Sequence, residues 1–241
     1  MKQLSTYVYC DALFDTIEIP HAIFASPYQD YPYLVIKNFF SKEECSVLAQ
    51  LVQEDSQSKE KAEVRKQIDS GVIQSDIVEE YRKTNIGKLD TRYEKIYAEQ
   101  FSKYKPEIEA YFSVAMALST KVQVLEYRKG FFYVKHADDS SVLVNKVKEI
   151  VGFKVVAPQR KLTSVLFVTS HAGHAEAGEQ SFTGGELIFN YLYDNEGNIM
   201  EIQPEAGELI VFPSNPYFSH EVLPVEEGYR LTLVQWHDAI Y

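Results

Sequence analysis

Two regimes of hydrophobic patterning divide the chain. In the amino-terminal half, apolar residues recur at helical spacing. YPYLVIKNFF at 31–40 reads as a short strand running into a turn, and SKEE at 41–44 sets Ser41 three residues before Glu44, the capping box that opens a helix. Cys45, Leu48, Leu51 and Val52 follow at spacing that predicts one apolar helix face. From 54 to 88 the chain turns polar and charged, which predicts a surface loop with helical pieces and the segment most open to motion. DTRYEKIYAEQFSKYKPEIEAYF at 90–112 then puts Tyr93, Ile96, Tyr97, Phe101 and Tyr104 on one helical stripe. Pro106 is expected to end or restart that helix.

After about residue 121 the period changes. VQVLEY, GFFYVKH, LTSVLFVTS, GGELIFNYLY, GNIMEIQP, GELIVFP and RLTLVQW are short strand-like runs, separated by turn signals such as DNEGN and PSNP. Runs of this kind predict an antiparallel sandwich or barrel. The expected fold class is therefore mainly β with supporting helices (α+β), the helices coming first and packing on a jelly-roll-like sheet. No internal repeat or linker interrupts 241 residues, so a single domain over 1–241 is expected, with helical support to about 118 and the sheet core from about 119.

Composition narrows the function classes. An apolar fraction of 45% with 17 Tyr and 14 Phe describes a chain able to bury an ordered core. A formal charge of −11 argues against a broad nucleic-acid footprint, which needs many Lys and Arg against phosphates. The amino terminus has no continuous apolar run of signal-peptide type, and no apolar run is long enough to span a bilayer, so a cytoplasmic protein without a membrane partner is expected. Cys10 and Cys45 lie in no CxxC or CxH pattern and read as two reduced thiols.

The candidate chemistry sits at YRKGFFYVKHADDS, 127–140. Residues i and i+2 of a strand share a face, so His136 and Asp138 can aim at one point. A metal needs a third ligand from another strand. Of the remaining histidines His220 is the best candidate, opening SHEVLPV ten residues before Arg230. Two histidines and a carboxylate on one face leave coordination positions open, the arrangement of non-haem Fe(II) oxygenases. In RLTLVQW, Arg230, Thr232, Val234 and Trp236 share a face. If that face is interior, a buried guanidinium there demands an anion. Asp139 reads as a solvated neighbour, Tyr133 as core, and His21 and His237 as structural. Ser219 faces away from His220 and makes no nucleophile pair with it, and the Gly184-Gly185 pair is a turn before a strand.

The ordered set Tyr127-x-x-Gly130-x-x-Tyr133-x-x-His136-x-Asp138, GGEL at 184–187, PEAGELIVFPS at 204–214 and HEVLPVEEGYR from His220 to Arg230 resembles the prolyl 4-hydroxylase-like Fe(II)/2-oxoglutarate-dependent oxygenases. The resemblance covers about 122–236, with a weaker echo in YLVIKNFFSKEE. It implies a double-stranded β-helix, with His136, Asp138 and His220 as iron ligands. It further implies that Arg230 meets the far carboxylate of 2-oxoglutarate, that Tyr127 donates a hydroxyl to the same carboxylate, and that Trp236 lies near the iron. Phe167 stands where some members carry a tyrosine. Fe(II), 2-oxoglutarate and O2 are the implied cofactors, and ascorbate is admitted as a further one. The implied reaction hydroxylates a second substrate, a protein or peptide residue such as proline, with release of succinate and CO2. A hydroxylase of amino acids or other metabolites, and a non-enzymatic jelly-roll binding module, remain as alternatives.

Two segments stay open on sequence grounds. The stretch between Asp138 and Thr163 is longer than a tight connection needs, and reads equally as a lid over substrate or as an extra surface hairpin. HAGHAEAGEQSFT before GGEL offers His171, His174 and Glu176 as a rival metal set, but its Gly/Ala-rich backbone gives no rigid support, so solvated histidines are expected.

Overall fold

A computed structural model describes residues 2–5, 7–10, 32–54, 60–61, 64–67, 73–76, 81–147, 149–194 and 196–240. His21 and the side chain of Cys10 lie outside this description. Its centre is a large antiparallel sheet. In order, its strands are Leu34–Ile36, Leu209–Pro213, Arg160–Phe167, Arg230–Ile240, Gln123–Tyr127, Asn85–Lys88 and Glu60–Lys61. Ala115–Ser119 pairs with the far end of Arg230–Ile240. A second sheet runs Ile199–Ile202, Leu187–Tyr193, His220–Val222, Phe132–His136 and Arg82–Lys83.

The large sheet is buried on both faces, and its sequences alternate accordingly. Along Leu209–Pro213, Leu209 and Val211 pack toward the helices while Ile210 and Phe212 pack toward the second sheet. Leu231 and Leu233 go one way, and Val234 goes the other with Val165 and Phe167. Two apolar cores therefore sit on opposite sides of one sheet, and its central strands read as nearly unbroken apolar runs. Each fully buried side chain of this size contributes about 1.5–3 kcal/mol.

The helices cover the outer core. In α1, Lys42–Glu54, the Ser41 hydroxyl accepts from Glu44 N at 3.1 Å while the Glu44 carboxylate accepts from Ser41 N at 2.8 Å, so the capping box forms as the sequence predicts. Its buried face is Cys45, Leu48 and Ala49; Leu51, expected on that face, is 46% exposed. In α2, Thr91–Phe112, the Asp90 side chain caps the first turn by accepting from Arg92 N at 2.8 Å. The helix continues past Pro106, contrary to the expected break. Tyr93, Tyr97 and Phe101 before the proline, and Ile108, Tyr111 and Phe112 after it, are all buried in one core. That burial outweighs the roughly 3 kcal/mol of an interior proline.

The polar stretch 54–88 also departs from expectation. Its described residues beyond α1 form strands, not helical pieces: Glu60–Lys61, Val64–Gln67, Ile73–Asp76, Arg82–Lys83 and Asn85–Lys88. Each finds a sheet edge or a partner hairpin, and pairing of backbone groups overrides weak local propensity. The expectation of motion falls largely on residues outside the description. The segment after Asp138 forms a hairpin, Ser140–Val144 with Ile150–Val155. It belongs to a further sheet with Lys2–Ser5, Val8–Cys10, Val64–Gln67 and Ile73–Asp76, and packs Val142 and Phe153 on Tyr9 and Ala137. No helix among the described residues is long and apolar enough to cross a membrane.

Candidate active site

A cavity of about 570 Å³ opens between the two central sheets. The face predicted for Arg230, Thr232, Val234 and Trp236 lines one wall, and His136 and His220 line the other. The two histidines are direct partners across the antiparallel pair Phe132–His136 and His220–Val222, with ring centroids 4.2 Å apart. Asp138 joins them from a different backbone setting than expected. The strand ends at His136 and Asp138 lies in the turn that follows, which still swings its carboxylate to the histidines. Asp138 Oδ1 lies 3.9 Å from His136 Nε2, and Oδ2 lies 3.7 Å from His220 Nε2. One ligand atom from each of the three residues falls within 4.8 Å of the others.

Hydrogen bonds fix the chemistry of these atoms. His136 Nδ1 is 2.9 Å from the Val134 carbonyl, and His220 Nδ1 is 2.9 Å from the Phe218 carbonyl. A carbonyl oxygen only accepts, so each Nδ1 carries the proton and each Nε2 presents a lone pair to the cavity. Burial, then the neighbouring His220, hold His136 well below the usual imidazole range and so neutral. For Asp138 burial alone would raise the carboxyl, but His220, His136, the Thr163 hydroxyl and Arg160 outweigh it and keep the group ionised. Two imidazole lone pairs and one carboxylate, converging from one side, suit a divalent transition metal with open positions.

Thr163 and Arg160, which support the cluster, were not singled out from sequence. Thr163 Oγ1 donates to Asp138 Oδ2 at 2.7 Å and is itself 2.8 Å from Ser214 Oγ. Arg160 donates to the Asp138 carbonyl and lies 4.3 Å over the Trp236 ring. Tyr133, read as core, stacks on His136 with centroids 3.5 Å apart and lines the cavity.

Arg230 stands at 1% exposure in an aromatic box, its guanidinium carbon 4.8 Å from the Tyr127 ring centroid and 5.4 Å from that of Phe167. Tyr127 is its cross-strand partner. Arg230 Nε donates to the Gly185 carbonyl at 2.8 Å, and Gly185 adopts φ +65°. A Cβ there would come within 2.8 Å of Val225 and 3.1 Å of Arg230 Cδ, so the GG turn serves as a cradle for the arginine. Burial lowers the guanidinium to about 10, opposed by Tyr127 and Glu186, and it stays charged at neutral pH.

Two expectations need correction. Asp139 is not solvated but 6% exposed, because the turn folds it beneath the hairpin; burial raises its carboxyl to about 7. His171 is not solvated either: it is in a short strand and its Nε2 lies 2.9 Å from Glu186 Oε1. Its Nδ1 accepts from Gly173 N, so Nε2 donates to the carboxylate. His174 and Glu176 are exposed, as expected. His237 is fully buried between two serine hydroxyls, in keeping with a structural role.

Residues 122–238 match the family model of the 2OG-Fe(II) oxygenase superfamily. No curated protein matches the chain in sequence. Among solved structures, a prolyl hydroxylase from Trichoplax adhaerens, in complex with a hypoxia inducible factor oxygen degradation domain peptide fragment, is similar at TM-score 0.57 and 18% identity over 86% of this chain and 83% of that one. A Pseudomonas putida prolyl-4-hydroxylase gives TM-score 0.57 and 18% identity over 86% and 92%. The viral collagen prolyl hydroxylase of Paramecium Bursaria Chlorella virus-1, in its 2OG complex, gives 0.54 and 17% over 87% and 97%. The matched segment holds His136, Asp138, His220 and Arg230 together, so it is over this segment that the chain is similar to the 2OG-Fe(II) oxygenase superfamily, on a fold it shares with prolyl hydroxylases.

Proposed function

We propose that the protein is a 2-oxoglutarate-dependent hydroxylase acting on a protein or peptide residue such as proline, with succinate and CO2 as co-products. The observation that carries this reading is the cross-strand histidine pair with Asp138, its lone pairs converging in the cavity that also holds the buried cation Arg230. The two facing sheets are read as a double-stranded β-helix. His136, Asp138 and His220 would hold Fe(II). Bound Fe(II), 2-oxoglutarate and O2 supply the oxidising power.

The chain's own residues supply position and insulation. Val134 and Phe218 hold the imidazoles in the tautomer a metal requires. Thr163 orients Asp138 through Oδ2. Arg230, deep in its aromatic box, pairs with the far carboxylate of 2-oxoglutarate through its guanidinium, and Tyr127 adds a hydroxyl beside it. Apolar walls such as Leu125, Val165, Leu187 and Val234 exclude water around the reacting atoms. The peptide reading draws support from the similar Trichoplax adhaerens prolyl hydroxylase, whose structure is a complex with a peptide fragment. Succinate release, followed with 2-oxoglutarate and a prolyl peptide, tests it: Asp138→Ala and His136→Ala should abolish turnover, and full activity in either would contradict it.

A further inference from the structure

The charged lining of the cavity is lopsided. It includes three guanidinium groups, Arg82, Arg160 and Arg230, against one carboxylate, Asp138, in a chain of formal charge −11. On the oxygenase reading, Asp138 and one carboxylate of 2-oxoglutarate would balance Fe(II) and the far carboxylate would balance Arg230, so a surplus of positive charge remains. Arg160 has anchors of its own in the Asp138 carbonyl and the Trp236 face. Arg82 is left over.

Its placement is specific. Arg82 opens the strand Arg82–Lys83 at the edge of the second sheet, directly across from Tyr133. It is 8% exposed, and its guanidinium carbon lies 4.3 Å over the Tyr133 ring, which itself stacks on His136. Its Nε is buried with no hydrogen-bond partner, its polar contact is with the neutral Tyr133 hydroxyl, and no carboxylate among the described residues pairs with it. A buried cation without an anion is costly, and proteins keep one where a ligand supplies the counter-charge. A guanidinium in that position recognises a carboxylate with two parallel hydrogen bonds.

We propose that the second substrate carries a carboxylate, bound by Arg82, close to the carbon that is hydroxylated. Arg82 is thus the residue that sets substrate class, and the inference rests on the oxygenase reading above. The carboxylate has two possible sources, the α-carboxylate of a free amino acid or an acidic side chain beside the target residue of a peptide.

The chain's single tryptophan, Trp236, lines the same cavity and reports binding without turnover. With protein loaded with Zn(II) and 2-oxoglutarate, Trp236 fluorescence is titrated with N-acetylproline against N-acetylprolinamide, and with N-acetyl-Pro-Asp-amide against N-acetyl-Pro-Asn-amide. At least one acid should bind about tenfold or more tighter than its amide, and which one does identifies the source. Arg82→Gln should shrink that preference below about twofold, and Arg82→Lys should keep part of it. Equal binding of acid and amide in both pairs, no binding of any probe, or a preference that survives Arg82→Gln overturns the proposal. The Fe(II)–2-oxoglutarate absorption band, measured without substrate, is the separate control: Arg82→Gln should keep it, and its absence from the wild type would remove the oxygenase reading instead.

Discussion

Thr163 Oγ1 lies 2.7 Å from Asp138 Oδ2 and donates to the carboxylate that completes the candidate metal cluster. Ser214 Oγ, 2.8 Å away, holds the threonine in turn. Thr163→Val keeps the shape and deletes the donor. Metal affinity, measured by competition with a chelator, should fall about 10- to 100-fold with little change in the fold. Unchanged affinity would mean that Asp138 is positioned by its turn alone.

Arg230 is held by the carbonyl of a glycine with no room for a side chain. Gly185→Ala meets both the left-handed φ of +65° and the contact with Arg230 Cδ. The backbone alone costs about 1–2 kcal/mol. The displaced guanidinium should raise KM for 2-oxoglutarate about tenfold or more while kcat changes less, a weaker copy of Arg230→Ala. Wild-type KM in Gly185→Ala would show that the cradle is dispensable.

His237 makes acid stability a test of the outer core. Ser119 Oγ and Ser164 Oγ lie 2.8 Å from its two nitrogens, and its ring stacks on Phe101 at 4.7 Å. Burial lowers it to about 3. Unfolded, it titrates near 6.5, so between those values the unfolded chain binds a proton that the folded chain refuses. Stability is full above about pH 6.5 and falls toward pH 3, by up to about 1.4 kcal/mol per pH unit from this group. Urea unfolding across pH 4–7 should show His237→Gln less stable overall but with a shallower acid slope; parallel slopes would contradict the assignment.

The site was legible in the sequence to the extent that its residues lie close together along the chain. His136 and Asp138 sit two apart, Arg230 follows His220 by ten, and the period-2 face from Arg230 to Trp236 lines the cavity as read. What depended on distant pairing was not legible. The register that sets His136 against His220 belongs to the sheet, and so does the partnership of Thr163 with Asp138. Arg82 was hidden in a charged stretch that looked like solvent-facing loop until pairing with Phe132–His136 turned it inward. Asp139 and His171 erred the same way: polar residues in turn-like contexts read as solvated, and tertiary cover buried them. Pro106 shows the reverse, a local breaker overruled by an aromatic face that packs on both sides of it.

On the proposed function, His136, Asp138 and His220 bind Fe(II) and present it to 2-oxoglutarate held by Arg230. An anaerobic optical titration of the metal-free protein with Fe(II), then 2-oxoglutarate, tests it directly, with His220→Ala alongside. The wild type should develop the visible charge-transfer band of an iron-bound keto acid and the variant none. A wild type without the band, or a His220→Ala variant that develops it at full strength, would contradict this iron site.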